Sequence, residues 1–213
     1  ELELGSICID LGGGVTSIAA FQYNEFIYGD MIPFGGSHVT RDIAQGLSTP
    51  LQSAERLKTL FGNCLSGVST ARNHIDVTQV GDNDAETVTT IPRRMLTSII
   101  EPRVEEIFEI VRDKIKAAGL ENTAGRRLII TGGGSQLGGI EELAKKVFKC
   151  NVRLGRPLNV DGLADTTAGA GFATGAGLLI YASLKPEELH FTEQKKTSLG
   201  IIASMSNWFK ENF

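Results

Sequence analysis

Several protein classes are excluded by residue types that the sequence holds in small amounts. Three of its 213 residues are cysteine and three are histidine. Cys8, Cys64 and Cys150 lie far apart, so neither a disulfide framework nor a zinc cluster is predicted, and a reducing cytoplasm is the simpler environment. Basic residues number 21 against 25 acidic ones. This balance argues against a nucleic-acid partner, because phosphate backbones select basic surfaces.

Long apolar runs and the marks of a leader sequence are also missing. No stretch approaches the roughly 18–20 apolar residues that a membrane-spanning helix needs. Position 1 is Glu, and residues 1–30 carry no basic segment followed by an apolar one, as a signal peptide would. We therefore expect the sequence to be a piece of a longer protein. Its 41% hydrophobic and 22% charged residues are ordinary for a soluble globular chain.

Predicted strands and helices alternate along the chain, which indicates an α/β fold. Two β-rich runs, at residues 16–23 and 26–32, predict a hairpin. Helical spacing of apolar residues predicts helices at 37–47 and 102–118. Residues 92–100 and the segment 166–184, which is rich in alanine and glycine, are also interpreted as helices. Another helix is expected to begin with Thr49 as its cap and Pro50 in its first position.

The 25 glycines are bunched, and the first bunch follows an acidic residue at a strand end. Asp10 is followed by Gly12, Gly13, Gly14 and Thr16. Glycine lets successive backbone N–H groups face phosphate oxygens. The carboxylate would hold Mg²⁺ through water, because this ion dehydrates reluctantly. The same residues also fit a tight hairpin entry with a capping Asp.

A second strand runs directly into Gly132, Gly133 and Gly134. The first motif, from Asp10 to Thr16, fits neither a Walker A loop nor a dinucleotide fingerprint, because its glycine spacing and the hairpin that follows it both differ. Two strand–glycine junctions at distant positions are less readily explained by chance than one. The pair favours a nucleotide site.

Four stretches resemble the second half of the actin-like ATPase superfamily: DLGGGVT, PFGGSHVTRDIAQGL, AERLK and LIITGGGSQLGGI. Within it, IEPRVEEI, VFKCNVRLGRPLNVDGLAD and SNWFKENF are similar to the FtsA family of bacterial cell-division proteins. The resemblance covers essentially the whole chain. It implies the second lobe of an actin-like (ribonuclease H-like) fold, with an inserted α+β subdomain and a C-terminal amphipathic helix. The implied parts are a lobe at 1–39 and 119–184, an insert at 40–118, a linker at 185–197 and the helix at 198–213.

The resemblance also implies a site for ATP and Mg²⁺. Asp10 would face the ion through water. The other implied contacts are Gly12, Gly13, Gly14 and Thr16 to the β- and γ-phosphates, Gly35 and Gly36 to the ribose, Glu55 and Lys58 to ribose and adenine, and Gly132, Gly133 and Gly134 beside the adenosine. Taken alone, Glu55 and Lys58 equally fit an exposed i,i+3 ion pair.

Weak catalysis is the expectation for such a site. Actin carries a water-positioning histidine directly after the loop threonine, whereas this chain has Ser17. The first lobe, with its own phosphate loop, cannot fit before residue 10. We therefore expect half of a nucleotide site, at most a weak ATPase in the full-length protein and an inactive fragment.

The inserted subdomain would, by resemblance, receive the C-terminal tail of the tubulin-like protein FtsZ. Arg103 is the candidate contact, because an arginine beside a helix start can clamp a carboxylate. Arg93 and Arg94 would add positive charge. Arg103 fits an internal pair with Glu106 equally well.

Residues 198–213 carry the pattern of an amphipathic helix. At 1.5 Å per residue it would be about 24 Å long, too short to cross a hydrocarbon core of about 30 Å. Such a helix either docks on its own domain or lies in the lipid interface, with an indole at headgroup depth. The resemblance favours the lipid. The apolar arc consists of Leu199, Ile201, Ile202, Met205, Trp208, Phe209 and Phe213.

The function implied is that of an adaptor at the division septum. It would bind ATP, polymerise like actin, and tether FtsZ filaments to the cytoplasmic face of the bacterial inner membrane. Two alternatives from the same superfamily are an ATP-hydrolysing relative such as a heat-shock chaperone and a pilus-assembly scaffold. Neither is expected to carry the terminal helix.

Overall fold

The computed structural model describes residues 2–67, 74–80, 87–121, 127–158 and 168–184. The chain forms two compact units, Glu1–Gly177 and Leu178–Phe213. The expected linker and amphipathic helix at 185–213 lie outside the described residues. The strands are β1 (Ser6–Leu11), β2 (Thr16–Gln22), β3 (Glu25–Ile32), β4 (His74–Gln79), β5 (Thr87–Pro92), β6 (Arg127–Thr131) and β7 (Asn151–Leu154). The helices are α1 (Gly36–Gly46), α2 (Leu51–Phe61), α3 (Arg93–Ala117), α4 (Ile140–Phe148) and α5 (Ala173–Ser183), with 3-10 turns at Gly133–Gln136 and Ala170–Phe172.

A five-stranded mixed sheet in the order β3-β2-β1-β6-β7 organises the first unit. Strands β1, β2 and β3 form an antiparallel meander, whereas β6 and β7 run parallel to β1. Side chains of a strand alternate between its two faces. In β1, Ile7, Ile9 and Leu11 are buried, while Cys8 and Asp10 are half-buried on the opposite face. The side chain of Asp10 therefore lies on the face of the sheet opposite to Ile7, Ile9 and Leu11.

One hydrophobic core joins the sheet to the helices. Ile9 of β1, Ile43 of α1, Phe108 of α3 and Leu143 of α4 belong to it and are fully buried. The apolar residues whose spacing predicts a helix in the α3 region are the residues that this helix buries in the core. A second sheet, formed by β4 and β5 in antiparallel pairing, lies between α2 and α3 in the chain.

The expectation of two helices, at 92–100 and 102–118, is wrong because the structure has one. Helix α3 runs unbroken from Arg93 to Ala117 with Pro102 inside it. A proline within a helix removes one backbone hydrogen bond and crowds the preceding turn. Here Ile100 and Val104, on either side of Pro102, are both completely buried. Burial of the two side chains in a common core offsets the local cost.

The predicted cap of α2 is also wrong. Pro50, not Thr49, occupies the capping position, and no side chain caps this helix. The Thr49 hydroxyl donates instead to the carbonyl of Thr78 in β4. A long-range partner has thus replaced the local one, and it ties the start of α2 to the second sheet.

Other expected elements are confirmed in kind. The β2–β3 hairpin turns at Tyr23 and Asn24, which both have positive φ angles. The last described helix, α5, begins at Ala173 rather than at 166, after a 3-10 turn. Within the described residues, none of the helices combines the length and the hydropathy that a membrane crossing requires.

Candidate functional site

The two strand–glycine junctions emerge side by side at one edge of the sheet. Strands β1 and β6 are parallel neighbours, and Asp10 lies directly opposite Thr131 in their register. The carboxyl ends of neighbouring parallel strands meet at one edge, where ligands of α/β sheets bind. At this edge Gly134 packs so closely on β1 that a Cβ atom there would lie 2.5 Å from Cγ of Leu11. The second glycine turn therefore packs against the end of β1, directly before the first glycine turn.

Between these turns and helix α2 lies a cavity of about 460 Å³. Seven predicted site residues line it: Gly12, Gly13, Gly36, Glu55, Lys58, Gly133 and Gly134. Five further lining residues escaped the sequence prediction: Ser37, Thr59, Gly62, Gln136 and Leu137. Ser37, Gln136 and Leu137 lie within the quoted motifs, and Thr59 directly follows Lys58. The signal for them was their position beside a predicted contact.

The first glycine turn is fastened by the glycines that precede α1. The Gly36 amide donates to the Gly12 carbonyl at 2.9 Å, and the Ser37 amide to the Gly13 carbonyl at 2.8 Å. A Cβ atom on Gly35 would lie 2.6 Å from the Gly12 carbonyl oxygen. Glycine is thus required at position 35 by close backbone approach, although the residue itself does not line the cavity.

Not every amide of the first turn is occupied. The Gly12 amide donates to the Val15 carbonyl at 3.0 Å. The amides of Gly13 and Gly14 donate no hydrogen bond to another described residue. Consecutive unpaired amides in a glycine turn form a concavity suited to an anion. The donors available to a phosphate are therefore those of Gly13 and Gly14.

Thr16 does not face the cavity. Its side chain is fully buried, and its hydroxyl donates to the carbonyl of Phe34 at 2.7 Å. This bond joins the start of β2 to the segment before α1. Thr16 therefore stabilises the first glycine turn from inside the protein. The prediction had this side chain facing the phosphates.

The wall formed by α1 and α2 is a charged network. Lys58 Nζ donates to Glu55 Oε2 at 2.7 Å, to Thr40 Oγ1 at 2.8 Å and to the Gly36 carbonyl at 3.1 Å. The Thr40 hydroxyl donates to the same Glu55 oxygen at 2.5 Å. Burial raises the pKa of Glu55, but the hydrogen bonds from Lys58 and Thr40 outweigh it, and the pKa lies below its usual value. The carboxylate is therefore held ionised.

Lys58 and Glu55 differ sharply in accessibility. The Lys58 side chain is 13% exposed, whereas that of Glu55 is 51% exposed. An ammonium group has three protons, and here the protein engages all of them. Glu55 is thus the member that can meet a ligand, while Lys58 fixes its orientation.

The Asp10 carboxylate lies beside the second glycine turn, outside the residues that line the cavity. A Cβ atom on Gly132 would fall 2.1 Å from Asp10 Oδ1, and Gly132 has a φ of +85°. Both facts require glycine at that position. Oδ2 accepts a hydrogen bond from the hydroxyl of Thr174 at the start of α5.

The donor set fits Mg²⁺ only as an ion held largely by water and ligand phosphates. Among the described residues there is no group of three or more His, Cys, Asp or Glu side chains that could enclose a metal. A single carboxylate is what Mg²⁺ commonly uses when phosphates supply further oxygens. Asp10, beside the second glycine turn, is the carboxylate that the sequence predicts for this role.

The three predicted partner-binding arginines have different surroundings. Arg93 Nε donates to the carbonyl of Phe61 at 2.9 Å. Arg103 donates to Asp42 Oδ2 and to Glu106 Oε2, both at 2.5 Å, and the bond to Asp42 raises the pKa of its guanidinium. The internal pair with Glu106 is therefore formed, together with a second one. Arg94 is exposed.

Solved structures resemble this chain in fold. MreB5 of Spiroplasma citri bound to ADP superposes with a TM-score of 0.63 at 16% identity, over 85% of this chain and 54% of that one. A chain of the PilM–PilN type IV pilus biogenesis complex superposes with a TM-score of 0.62 at 18% identity, over 85% and 46%. The predicted actin-like fold is thereby confirmed.

Sequence comparison gives the family. A family model described as Cell division protein FtsA matches residues 7–177. Cell division protein FtsA of Rhizobium meliloti (strain 1021) is 40% identical over 217 residues, which cover 100% of this chain and 49% of the relative. The corresponding protein of Escherichia coli (strain K12) is 30% identical, over 99% of this chain and 50% of the relative. The chain thus spans about half the length of these relatives, and it belongs to the FtsA family of cell-division proteins.

Proposed function

We propose that this chain forms one side of an ATP site in a cell-division protein. The observation that supports the proposal is the meeting of two glycine turns and the Glu55–Lys58 pair around one cavity. Phosphates require backbone donors that no side chain obstructs, and the sheet edge offers them. The nucleotide would act as a ligand that controls conformation and assembly more than as fuel. The match to the FtsA family favours neither a heat-shock ATPase nor a pilus scaffold.

Each group in the cavity or beside it has a definite task in this proposal. The amides of Gly13 and Gly14 donate to phosphate oxygens, and the Glu55 carboxylate accepts from ribose hydroxyls. Gly133 and Gly134 allow the adenosine to lie against the backbone, with the apolar side chain of Leu137 beside it. Mg²⁺, when bound with the nucleotide, neutralises phosphate charge. Asp10 orients the water molecules of that ion.

Gly133→Leu tests the nucleotide site. No atom lies within 4 Å of a Cβ placed on Gly133, so the side chain enters open space without a clash. In the complete protein we expect the affinity for a fluorescent ATP analogue to fall on the order of tenfold or more, because the side chain fills part of the cavity. Fluorescence anisotropy measures the affinity, and thermal unfolding confirms that the fold is kept.

Gly67→Leu is the matched control. A Cβ atom on Gly67 also meets nothing within 4 Å, and this glycine does not line the cavity. Its affinity should equal that of the wild type. Wild-type affinity in a folded Gly133→Leu protein would remove the cavity from the proposal.

The adaptor part of the function rests on family membership and on the sequence of the tail. The protein would self-associate through its actin-like fold, bind an FtsZ tail on the inserted subdomain and reach lipid through residues 198–213. For the tail peptide, Arg94 is the better probe, because it is exposed. Arg103 is already engaged by Asp42 and Glu106. Replacing Arg103 with Glu would set three carboxylates together and disturb the fold.

A further inference from the structure

The Asp10 carboxylate is held by parts of the chain that are remote in sequence. Gly132, at the end of β6, packs against Oδ1, and the Thr174 hydroxyl donates to Oδ2. Asp10 and Thr174 are separated by 164 positions. Because the contact joins β1 to α5, the first turn of α5 belongs to the environment of the site.

The position of Thr174 is itself fixed by the second glycine turn. The Gly132 amide donates to the carbonyl of Ala170 at 3.1 Å. Gly171 also lies against this turn, since a Cβ atom there would be 3.7 Å from Cα of Gly133. These contacts fasten the 3-10 turn that leads into α5. These contacts therefore hold in place the backbone from which Thr174 donates its hydrogen bond to Asp10.

We propose that Thr174 is a positioning residue for a divalent cation bound with nucleotide, and that it acts by fixing the orientation of the Asp10 carboxylate. This inference rests on the proposed nucleotide site. A carboxylate has about four acceptor positions, of which Thr174 occupies one, so others remain for water on the ion. Residues that hydrogen-bond to a metal-binding group and fix its orientation typically contribute 10–100-fold to metal affinity.

A purely structural role makes a different prediction. A carboxylate near the first turn of a helix stabilises that helix through the N–H groups and dipole of its N-terminus. If this were the sole role of the contact, loss of the hydroxyl would lower the melting temperature and leave the metal dependence of nucleotide binding unchanged. The two readouts separate the roles.

The test is a Mg²⁺ titration of nucleotide binding in the complete protein. A fluorescent ATP analogue is held at fixed concentration, and the Mg²⁺ concentration that gives half of the binding increase is measured. For Thr174→Val we expect this midpoint to rise on the order of tenfold. Thr174→Ser, which keeps the hydroxyl, should stay near the wild type. If Thr174→Val does not fold, Thr174→Ala removes the same hydroxyl and suits a helix better.

Two further variants sharpen the result. Asp10→Asn should also raise the midpoint, and adding Thr174→Val to it should have little further effect, because the threonine acts through the aspartate. Ser183→Ala is the control on the same helix, since its hydroxyl donates to the Ile180 carbonyl at 2.7 Å. It should leave the midpoint unchanged.

The possible failures are distinguishable. A wild-type protein that binds no nucleotide overturns the proposed function and this inference with it, whereas one whose nucleotide binding ignores Mg²⁺ overturns this inference and leaves the nucleotide site standing. Normal Mg²⁺ dependence in the wild type, with a midpoint in Thr174→Val within twofold of it, overturns the inference alone. A lowered melting temperature with an unchanged midpoint assigns the contact to stability and likewise rejects the inference.

Discussion

Asp30 illustrates how single polar residues join the edge of the sheet to a helix. Lys114 Nζ on α3 donates to its Oδ2 at 2.6 Å, and the Tyr28 hydroxyl donates to the same oxygen at 2.9 Å. The Met31 amide donates to Oδ1 at 2.7 Å. Lys114, followed by Met31 and Tyr28, lowers the pKa of Asp30 from 3.8 to about 2. The edge strand β3 is thereby fastened to α3.

This lowered pKa predicts a dependence of stability on pH. Asp30 is easier to protonate in the unfolded chain, so its contribution is complete above about pH 4 and is lost as the pH falls through about 2. Asp30→Asn should be less stable than the wild type at pH 7, and the difference should shrink below pH 4. Urea unfolding between pH 7 and pH 3 measures it. A difference that stays constant over this range would contradict the prediction, and Asp113→Asn serves as an exposed control on α3.

At the residue scale, the sequence predicts contacts that are local and misses those that are remote. Glu55 and Lys58 are three apart on a helix, where such pairs meet by geometry. Arg103 shows both cases, because Glu106 is three residues away and was foreseen, whereas Asp42 is 61 positions away and was not. The partner of Asp10 on α5 lay beyond reach for the same reason. Only the packed fold brings such residues together.

Among the elements, α3 carries the largest share of the core. Eight of its residues are buried, and they include Val104, Ile107, Phe108 and Val111. The ring of Phe108 meets that of Phe148, the last residue of α4, edge-on with centroids 5.5 Å apart. The helix therefore packs against α1, which precedes it in the chain, and against α4, which follows it.

Phe108→Ala should destabilise the protein by about 3–5 kcal/mol, because a fully buried ring leaves a cavity that the surroundings refill incompletely. Met95→Ala, at a position 45% exposed on the same helix, should cost about 0.5 kcal/mol or less. Chemical denaturation of both variants measures the difference. Equal costs at the two positions would show that α3 is not packed as described.

The elements themselves were largely predictable because their signals are local. The short apolar run that ends at Asp10, followed by glycines, placed a strand and a turn correctly, and the apolar spacing placed the second part of α3. The helix break expected at Pro102 was wrong. The helix continues because Ile100 and Val104, on either side of the proline, are buried in the core, and the local sequence alone does not show this burial. The late start of α5 was missed because the glycines in this segment permit several backbone conformations.

At the scale of the whole molecule, three surfaces are assigned to three ligands. The cavity of the proposed nucleotide site lies at the carboxyl edge of the sheet, and the proposed FtsZ surface lies on the predicted insert with Arg94. The proposed lipid contact belongs to residues 198–213. This division remains a prediction from the order of the motifs, because each motif occupies its own stretch of chain.

One co-flotation experiment separates the last two surfaces. The complete protein and a fluorescent FtsZ tail peptide are mixed with vesicles of phosphatidylethanolamine and phosphatidylglycerol and centrifuged in a density gradient. Deleting residues 198–213 should abolish flotation of both, because the apolar arc supplies lipid affinity. Arg94→Glu should let the protein float while the peptide stays behind, and Arg127→Glu, an exposed change at the other end of β6, should alter neither.

Two outcomes would contradict this assignment. Flotation that survives the deletion would move lipid binding elsewhere in the protein. Peptide that floats normally with Arg94→Glu would remove Arg94 from the FtsZ surface. Each result bears on one surface and leaves the nucleotide proposal intact.

Three glycines that line the cavity limit how its ligand selectivity can evolve, because a side chain has no room there. A Cβ atom would lie 2.9 Å from the Val15 carbonyl oxygen at Gly12, 2.2 Å from the Lys58 carbonyl oxygen at Gly62 and 2.5 Å from the Leu11 side chain at Gly134. Selection cannot vary these positions without moving the main chain. Among the described lining residues, selectivity is therefore expected to change at positions that leave room for a different side chain, such as Thr59, Gln136 and Gly133. Homologues that have changed their ligand preference should differ at those positions and should keep glycine at positions 12, 62 and 134.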